Sequence, residues 1–249
     1  MDKRIEEAVK RESTSKDYAL EYYEAEKELL DGLFSLDTEF LDSLFTRKGK
    51  LFDATMGRGR HVIHFAKRGF EVFGNDYNRN MVELVRKDLN RLKLKARLYN
   101  HNITDLSRIK DNSFDYVISM GHSLGCIPKI KNREKAVKEF ARVVKPDGLV
   151  VVHGHNIFGD ISLEDVLPML KCCILPGSGL EPRDMIYFHS KNLGHTFIHY
   201  FSLNELHRLF AAAGLKIQKK AGLNWKQNGY YRGPLKSLMC GGFIFVGKK

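Results

Sequence analysis

The stretch Leu51-Phe52-Asp53-Ala54-Thr55-Met56-Gly57-Arg58-Gly59-Arg60 constrains this chain more than any other. A short apolar run, 51–55, reads as a strand, passes into small residues and glycine, and leads at once into a helical segment, His61–Lys67. Glycine at such a place implies a backbone that turns sharply and lets a ligand come close. The helix beyond it starts with N–H groups that have no partner within the helix. Strand, glycine turn and helix in this order belong to parallel sheets wrapped by helices.

The rest of the chain repeats the alternation. Glu71–Asp76 is a second strand, and Arg79–Leu92 is helical, with Met81, Leu84, Val85 and Leu89 at helical spacing. Residues 95–102, 114–121 and 149–156 predict a third, fourth and fifth strand. A helix over Glu134–Val144 lies before the fifth and is closed by the turn Pro146-Asp147-Gly148. Two short alternating runs, 185–190 and 196–201, predict a β-hairpin inserted after strand five, over the sheet edge. Ser202 with Glu205 forms a capping box, Gly214 ends that helix, and 215–221 and 241–248 are the closing strands. The expected fold is α/β: a Rossmann-like, seven-stranded, mostly parallel sheet with helices on both faces. Charged segments with recurring apolar positions, including Tyr18, Tyr22 and Tyr23, predict an N-terminal helical lid. No repeat or linker divides the chain. A single domain over 1–249 is expected, with the lid at 1–48, a cofactor-binding core at 49–156, a substrate-side insertion at 157–201 and a closing helix and strands at 202–249.

Bulk properties limit the classes further. A chain of 249 residues buries a full core, and no apolar run approaches the roughly 20 residues that span a bilayer. The charged start carries no signal-peptide pattern. Cys126, Cys172, Cys173 and Cys240 form no Cys-x-x-Cys pair and read as free thiols, so a reducing, cytoplasmic setting is expected. The net charge is +11, and after Glu205 there is no Asp or Glu, while nine Lys and Arg follow, from Arg208 to Lys249. Such a field attracts anions or nucleic acid, or is a solvated basic face. No nucleic-acid motif accompanies it.

Asp76 ends the second strand, where a carboxylate would hold a ribose diol. A nicotinamide or flavin site would want a third glycine, and that slot holds Val62. The acidic start at Asp53 suits a cationic amino-acid tail better than a pyrophosphate, which points to S-adenosylmethionine. Residues 52–62 resemble motif I of class I methyltransferases, acidic-x-Gly-x-Gly-x-Gly, with Thr55 in the first glycine slot. The resemblance covers about residues 50–155 and implies a cofactor site of Asp53, Thr55, Gly57, Gly59, Arg60, Asp76, Tyr77, Met81, Asn102, Ile103, Met120 and Gly121. Asn102 stands where the family usually has Asp, and keeps the ability to accept one hydrogen bond.

Residues 118–128 and 149–161, then 185–190, are similar to the glycine/sarcosine N-methyltransferase group. That likeness implies a small amine as methyl acceptor, with Ser123, Asn156 and Tyr187 near the substrate and Tyr22 available from the lid. The group has Arg before Asn156 to pair with a substrate carboxylate; here the residue is His155, so glycine itself is not the expected acceptor. His122 and His155, with His153 beside them, are the candidates to take a proton from the acceptor. His153 and His155 share one face of a strand, but no third ligand is evident, so no metal is expected; His195 and His199 would pair on a metal only on a helix. Two other readings remain: an RNA methyltransferase using the basic C-terminal face, and a cofactor-binding scaffold without activity.

Overall fold

The structure is a computed structural model, and it describes residues 7, 13–20, 31–156, 180–190, 194–224, 226, 228–233 and 239–249. Nine strands and five helices of eight residues or more are described, and the strands divide into a large sheet and a hairpin. Strands β1 (Lys50–Asp53), β2 (Glu71–Asn75), β3 (Arg97–Tyr99), β4 (Phe114–Ser119) and β5 (Val144–His155) pair in parallel. Strand β9 (Gly242–Lys248) runs antiparallel against β5, and β8 (Lys216–Leu223) antiparallel against β9. The order across the seven strands is β3-β2-β1-β4-β5-β9-β8. This is the mostly parallel seven-stranded sheet expected.

Side-chain alternation sends each strand's residues to two different apolar layers. On one side Leu51, Val72, Ile118, Val151, Ile244 and Val246 pack under α1 (Asp31–Leu44), α2 (Arg60–Lys67) and α3 (Arg79–Arg91). On the other, Phe52, Phe73, Val117, Val150, Val152 and Phe245 pack under α4 (Ile130–Val143) and α5 (Leu203–Ala212). Helix α1 is held by Leu36 and, one turn further on, Phe40 and Leu41. Helix α5 starts as expected, with Ser202 Oγ accepting from the Glu205 N–H at 3.2 Å.

Two expectations shift. Pro146-Asp147-Gly148 does not separate α4 from β5: α4 ends at Val143 and β5 begins at Val144. Phe114 pairs with Val144 and Tyr116 with Leu149, so the residues between bulge out and Asp147 takes φ 64°. Strand β3 is three residues, shorter than the 95–102 run, because only Arg97–Tyr99 finds partners on β2.

The hairpin forms as predicted, from β6 (Asp184–Ser190) and β7 (Gly194–His199), and is a separate two-stranded sheet. It is joined to the main sheet at Phe201, whose N–H donates to the His155 carbonyl at 2.9 Å. Gly154 makes this possible, since a Cβ there would lie 2.7 Å from the Phe201 ring. Buried charge ties the hairpin to α4 and α5. Arg133 is fully buried and donates to Glu181 (2.6 Å), which also accepts from the Ile130 N–H at the start of α4. His199 lies between Asp184 (2.6 Å from Nδ1) and Glu205 (2.9 Å from Nε2), and Arg183 donates to Glu205 at 2.8 Å.

The basic residues near the C-terminus are partly engaged with neighbours. Lys248 pairs with Asp147, Lys249 donates to Asn112 and two carbonyls, and Lys219 lies over the Phe40 ring. On β8, the edge strand, exposed Lys216, Lys219 and Lys220 discourage pairing with another chain. No helix among the described residues is long and apolar enough to cross a membrane.

Candidate functional site

The sheet order places a crevice. The chain builds β1, β2 and β3 outward to one edge, then returns to set β4 against the other side of β1. The crossovers therefore diverge at the carboxyl ends of β1 and β4, where ligands of open α/β sheets bind. Asp53, the 56–59 turn and Met120–His122 meet at this point, and Asp76 follows β2 beside it.

The turn is organised by Asp76. Its two oxygens accept from the N–H groups of Gly57 (2.9 Å) and Asn78 (2.8 Å). Gly57 has φ 51° and nothing within 4 Å of where a Cβ would stand, so it presents bare backbone to the crevice. Gly59 serves a different purpose: a Cβ there would lie 2.7 Å from Val85, so this glycine lets α2 start against α3. Thr55, in the slot where motif I has glycine, sends its hydroxyl to Ser119 on β4 at 3.1 Å. A threonine is accommodated there because its polar end has a partner across the sheet.

Both acids are buried, and burial pushes their carboxyls up, Asp53 to about 7 and Asp76 to about 6. A buried carboxylate so destabilised favours a ligand that brings positive charge or hydroxyl donors. The amino group and ribose diol of S-adenosylmethionine supply both, and each Asp76 oxygen retains a lone pair for a hydroxyl. The residues present fit the cofactor. Asp53 would face its amino-acid tail and Asp76 its ribose.

The remaining cofactor-side residues fall around this core. Met81 and Ile103 are buried, whereas Tyr77 is 43% exposed on the turn after β2. Asn102 makes a local turn. Its Oδ1 already accepts from the N–H and hydroxyl of Thr104, both at 3.0 Å, so the amide has its donor side, Nδ2, to offer an adenine edge. Arg60 reaches Asp37 on α1, 3.7 Å away. Gly121 has φ 61° and open space at its Cβ position, and Ser123 donates to the Met120 carbonyl at 2.9 Å, closing the turn after β4.

On the acceptor side, His122 takes φ 64°, an unusual conformation for a non-glycine residue. The His155 N–H donates to its Nδ1 at 2.7 Å, and the two rings stack 4.2 Å apart. The Nδ1 lone pair is thereby occupied, and through it His122 supports the end of β5. Burial holds both rings neutral: His122 titrates well below the ordinary imidazole range and His155 at about 3. Asn156 is wholly buried, and its amide donates to the Cys240 carbonyl at 2.8 Å, which ties the end of β5 to the segment before β9. Tyr22 and Tyr23 lie outside the described residues. Tyr187 is described only as a backbone position on β6, opposite Thr196.

Several residues of the site had escaped the sequence reading. Asn75 clamps the turn by donating to the carbonyls of Ala54 and His101 (3.0 and 3.1 Å). Asn78 caps α3 and donates to Ser13 and Ser15 carbonyls, while Asn80 donates to that of Thr14, which seats the N-terminal segment beside Asp76. An Asn just before a helical run is a cap signal and could have been found. Asp37 could have been found too, as an acid inside the apolar stripe of α1.

This sheet order, with an acid ending β1, a second acid just past β2 and bare glycine backbone between them, is the arrangement that the resemblance to class I methyltransferases implies. Residues 52–148 match the family described as "Methyltransferase domain". A glycine/sarcosine N-methyltransferase of Aphanothece halophytica is 27% identical over 147 residues, 56% of each chain. A solved S-adenosylmethionine-dependent methyltransferase from Methanosarcina mazei superposes with a TM-score of 0.68 at 19% identity, over 84% of this chain and 96% of that one. A Burkholderia thailandensis 1,6-didemethyltoxoflavin-N1-methyltransferase, solved with S-adenosylhomocysteine, superposes with a TM-score of 0.64 at 14% identity, over 98% and 89%. The chain spans about half the length of the curated relatives it matches.

Proposed function

We propose that this protein transfers the methyl group of S-adenosylmethionine to the nitrogen of a small, amino-acid-like amine other than glycine. The observation that carries the reading is His155. It follows Gly154 at the carboxyl end of β5, beside the crevice, and burial keeps its ring uncharged. A neutral imidazole offers no cation to pair with an acceptor's carboxylate. It does offer a hydrogen bond, and its Nε2 is buried with no partner among the described residues. The names of the Aphanothece and Burkholderia proteins, both N-methyltransferases, support nitrogen as the methylated atom.

When bound, S-adenosylmethionine supplies a sulfonium methyl group open to in-line displacement. The chain's own residues bind and orient: Asp53 and Asp76 fix the cofactor's two ends, and His155, backed by His122, aligns the acceptor. A ring that titrates near 3 is a poor sink for a proton at neutral pH. The acceptor therefore arrives as the free amine, and its surplus proton leaves to water. Rate should rise with pH until the amine is fully deprotonated.

Radiolabelled S-adenosylmethionine and a panel of primary and secondary amines test the reading. Labelled N-methyl product from an amine other than glycine is expected. Glycine as the preferred acceptor, or label transferred only to oxygen or to RNA, would reject it.

A further inference from the structure

A buried acid–histidine pair lies behind the acceptor-facing ring and has no part in the function described so far. Asp37, on α1, and His153, on β5, are both fully buried, and both carboxylate oxygens lie 3.2 Å from the His153 Nδ1. They sit at the edge of the apolar layer that holds Leu36, Phe40, Leu41 and Val151, with Arg60 3.7 Å from Asp37. Taking a carboxylate out of water costs several kcal/mol unless it is well paired. A leucine at position 37 would have served packing alone.

The pair continues into the site. His153 and His155 alternate on the same face of β5 with ring centroids 5.4 Å apart, and the His155 ring stacks on His122 at 4.2 Å. His122 in turn rests against Gly125 and the His199 carbonyl: a Cβ on Gly125 would stand 2.3 Å from the His122 Nε2 and 2.7 Å from that oxygen. The result is a row, Asp37–His153–His155–His122, built from α1, β5 and the turn after β4. At one end is a carboxylate that fixes a tautomer, because an acceptor-only group requires Nδ1 of His153 to donate.

We propose that Asp37 and His153 are positioning residues: Asp37 fixes the His153 ring, and His153 and His122 hold His155 between them as the group that meets the methyl acceptor. This rests on the proposed methyl transfer. The charged and titratable groups facing the row are Arg60 and His61 from α2, His199 from β7, Tyr200 just after it, and Tyr230. Burial is the largest influence on His155, His153 adds to it in the same direction, and Asp37 opposes it.

The test uses the full chain labelled with ¹⁵N-histidine and titrated by NMR, with S-adenosylhomocysteine bound. His155 should remain neutral down to about pH 5, and His153→Asn should move its midpoint upward by roughly one unit or more, because a neighbour that disfavours its charge is gone. Asp37→Asn should lower kcat by about tenfold or more, while the Kd for S-adenosylhomocysteine changes less than about threefold. The proposal is overturned if His155 of the native chain titrates in the ordinary imidazole range, if His153→Asn leaves its midpoint in place, or if Asp37→Asn turns over at the native rate. Should Asp37→Asn fail to fold, the His153→Asn titration decides alone. Calorimetry with S-adenosylhomocysteine separates the two readings: binding with an unshifted His155 defeats the row, whereas absent binding defeats the methyltransferase reading itself.

Discussion

The backbone N–H of His155 donates to the Nδ1 of His122 across 2.7 Å, so the turn after β4 and the end of β5 are locked to one another by the side chain of a residue whose backbone is left-handed. The lock needs Gly125. A methyl group there would occupy the volume of the His122 ring, 2.3 Å from Nε2. Gly125→Ala should therefore destabilise the protein by about 1–3 kcal/mol, the usual cost of overpacking a rigid site. Chemical denaturation measures it, and an unchanged midpoint would mean the ring is free to move.

Asp76 organises the cofactor turn and would also hold the ribose. Asp76→Asn keeps the shape but removes the charge that strengthens its hydrogen bonds. The Kd for S-adenosylhomocysteine should rise by roughly tenfold to a hundredfold, the equivalent of about 1.5–3 kcal/mol. Isothermal calorimetry decides, and a Kd within threefold of native would remove Asp76 from the binding site.

Cofactor affinity should depend on pH, with a definite sign. Burial raises Asp53 to about 7 and Asp76 to about 6, above their ordinary 3.8, so in the unliganded protein a fraction of each is protonated near neutrality. A ligand bearing an ammonium group prefers the ionised form. Affinity should thus climb as pH rises from 5 to about 8 and then level off, with protons released on binding. Calorimetry in buffers of different ionisation enthalpy reads the release directly; proton uptake would contradict the assignment.

Thr55 stands where motif I has glycine, and its hydroxyl is used by Ser119 at 3.1 Å. Thr55→Gly should leave cofactor binding within about threefold and cost roughly 1–2 kcal/mol of stability, from one lost hydrogen bond and a freer unfolded chain. A double-mutant cycle with Ser119→Ala isolates the pair and should show a coupling of about 0.5–1.5 kcal/mol. No coupling would leave Thr55 unexplained.

Glu205 accepts from His199 and Arg183, with fully buried Arg133 3.6 Å away. Glu205→Ala strips these groups of a counter-charge in a buried network. A loss of about 3–5 kcal/mol is expected, with the hairpin loosened before the sheet. Hydrogen exchange on β7, compared with that on β4, tests the second part; uniform loss of protection would show that the network holds the whole domain.

The elements were legible in the sequence because each is written locally. Short apolar runs marked β1, β2 and β4, Ser202 and Glu205 marked the start of α5, and Gly57 with Gly59 marked the turn. Asp53 and Asp76 were legible for the same reason, as each ends or follows a recognisable strand. The roles of individual polar groups were not. Asn156 donates to the Cys240 carbonyl, His122 accepts from the His155 N–H, and Asn102 accepts from Thr104. The Asn102 contact spans two residues and is local, whereas the partners of His122 and Asn156 lie 33 and 84 residues away and are brought up by the fold. The sequence by itself determined the order of strands, helices and cofactor acids, since propensity and periodicity act over a few residues. Only the tertiary structure decided which lone pairs and protons stay free at the crevice, because burial and hydrogen bonding belong to groups that meet across the sheet.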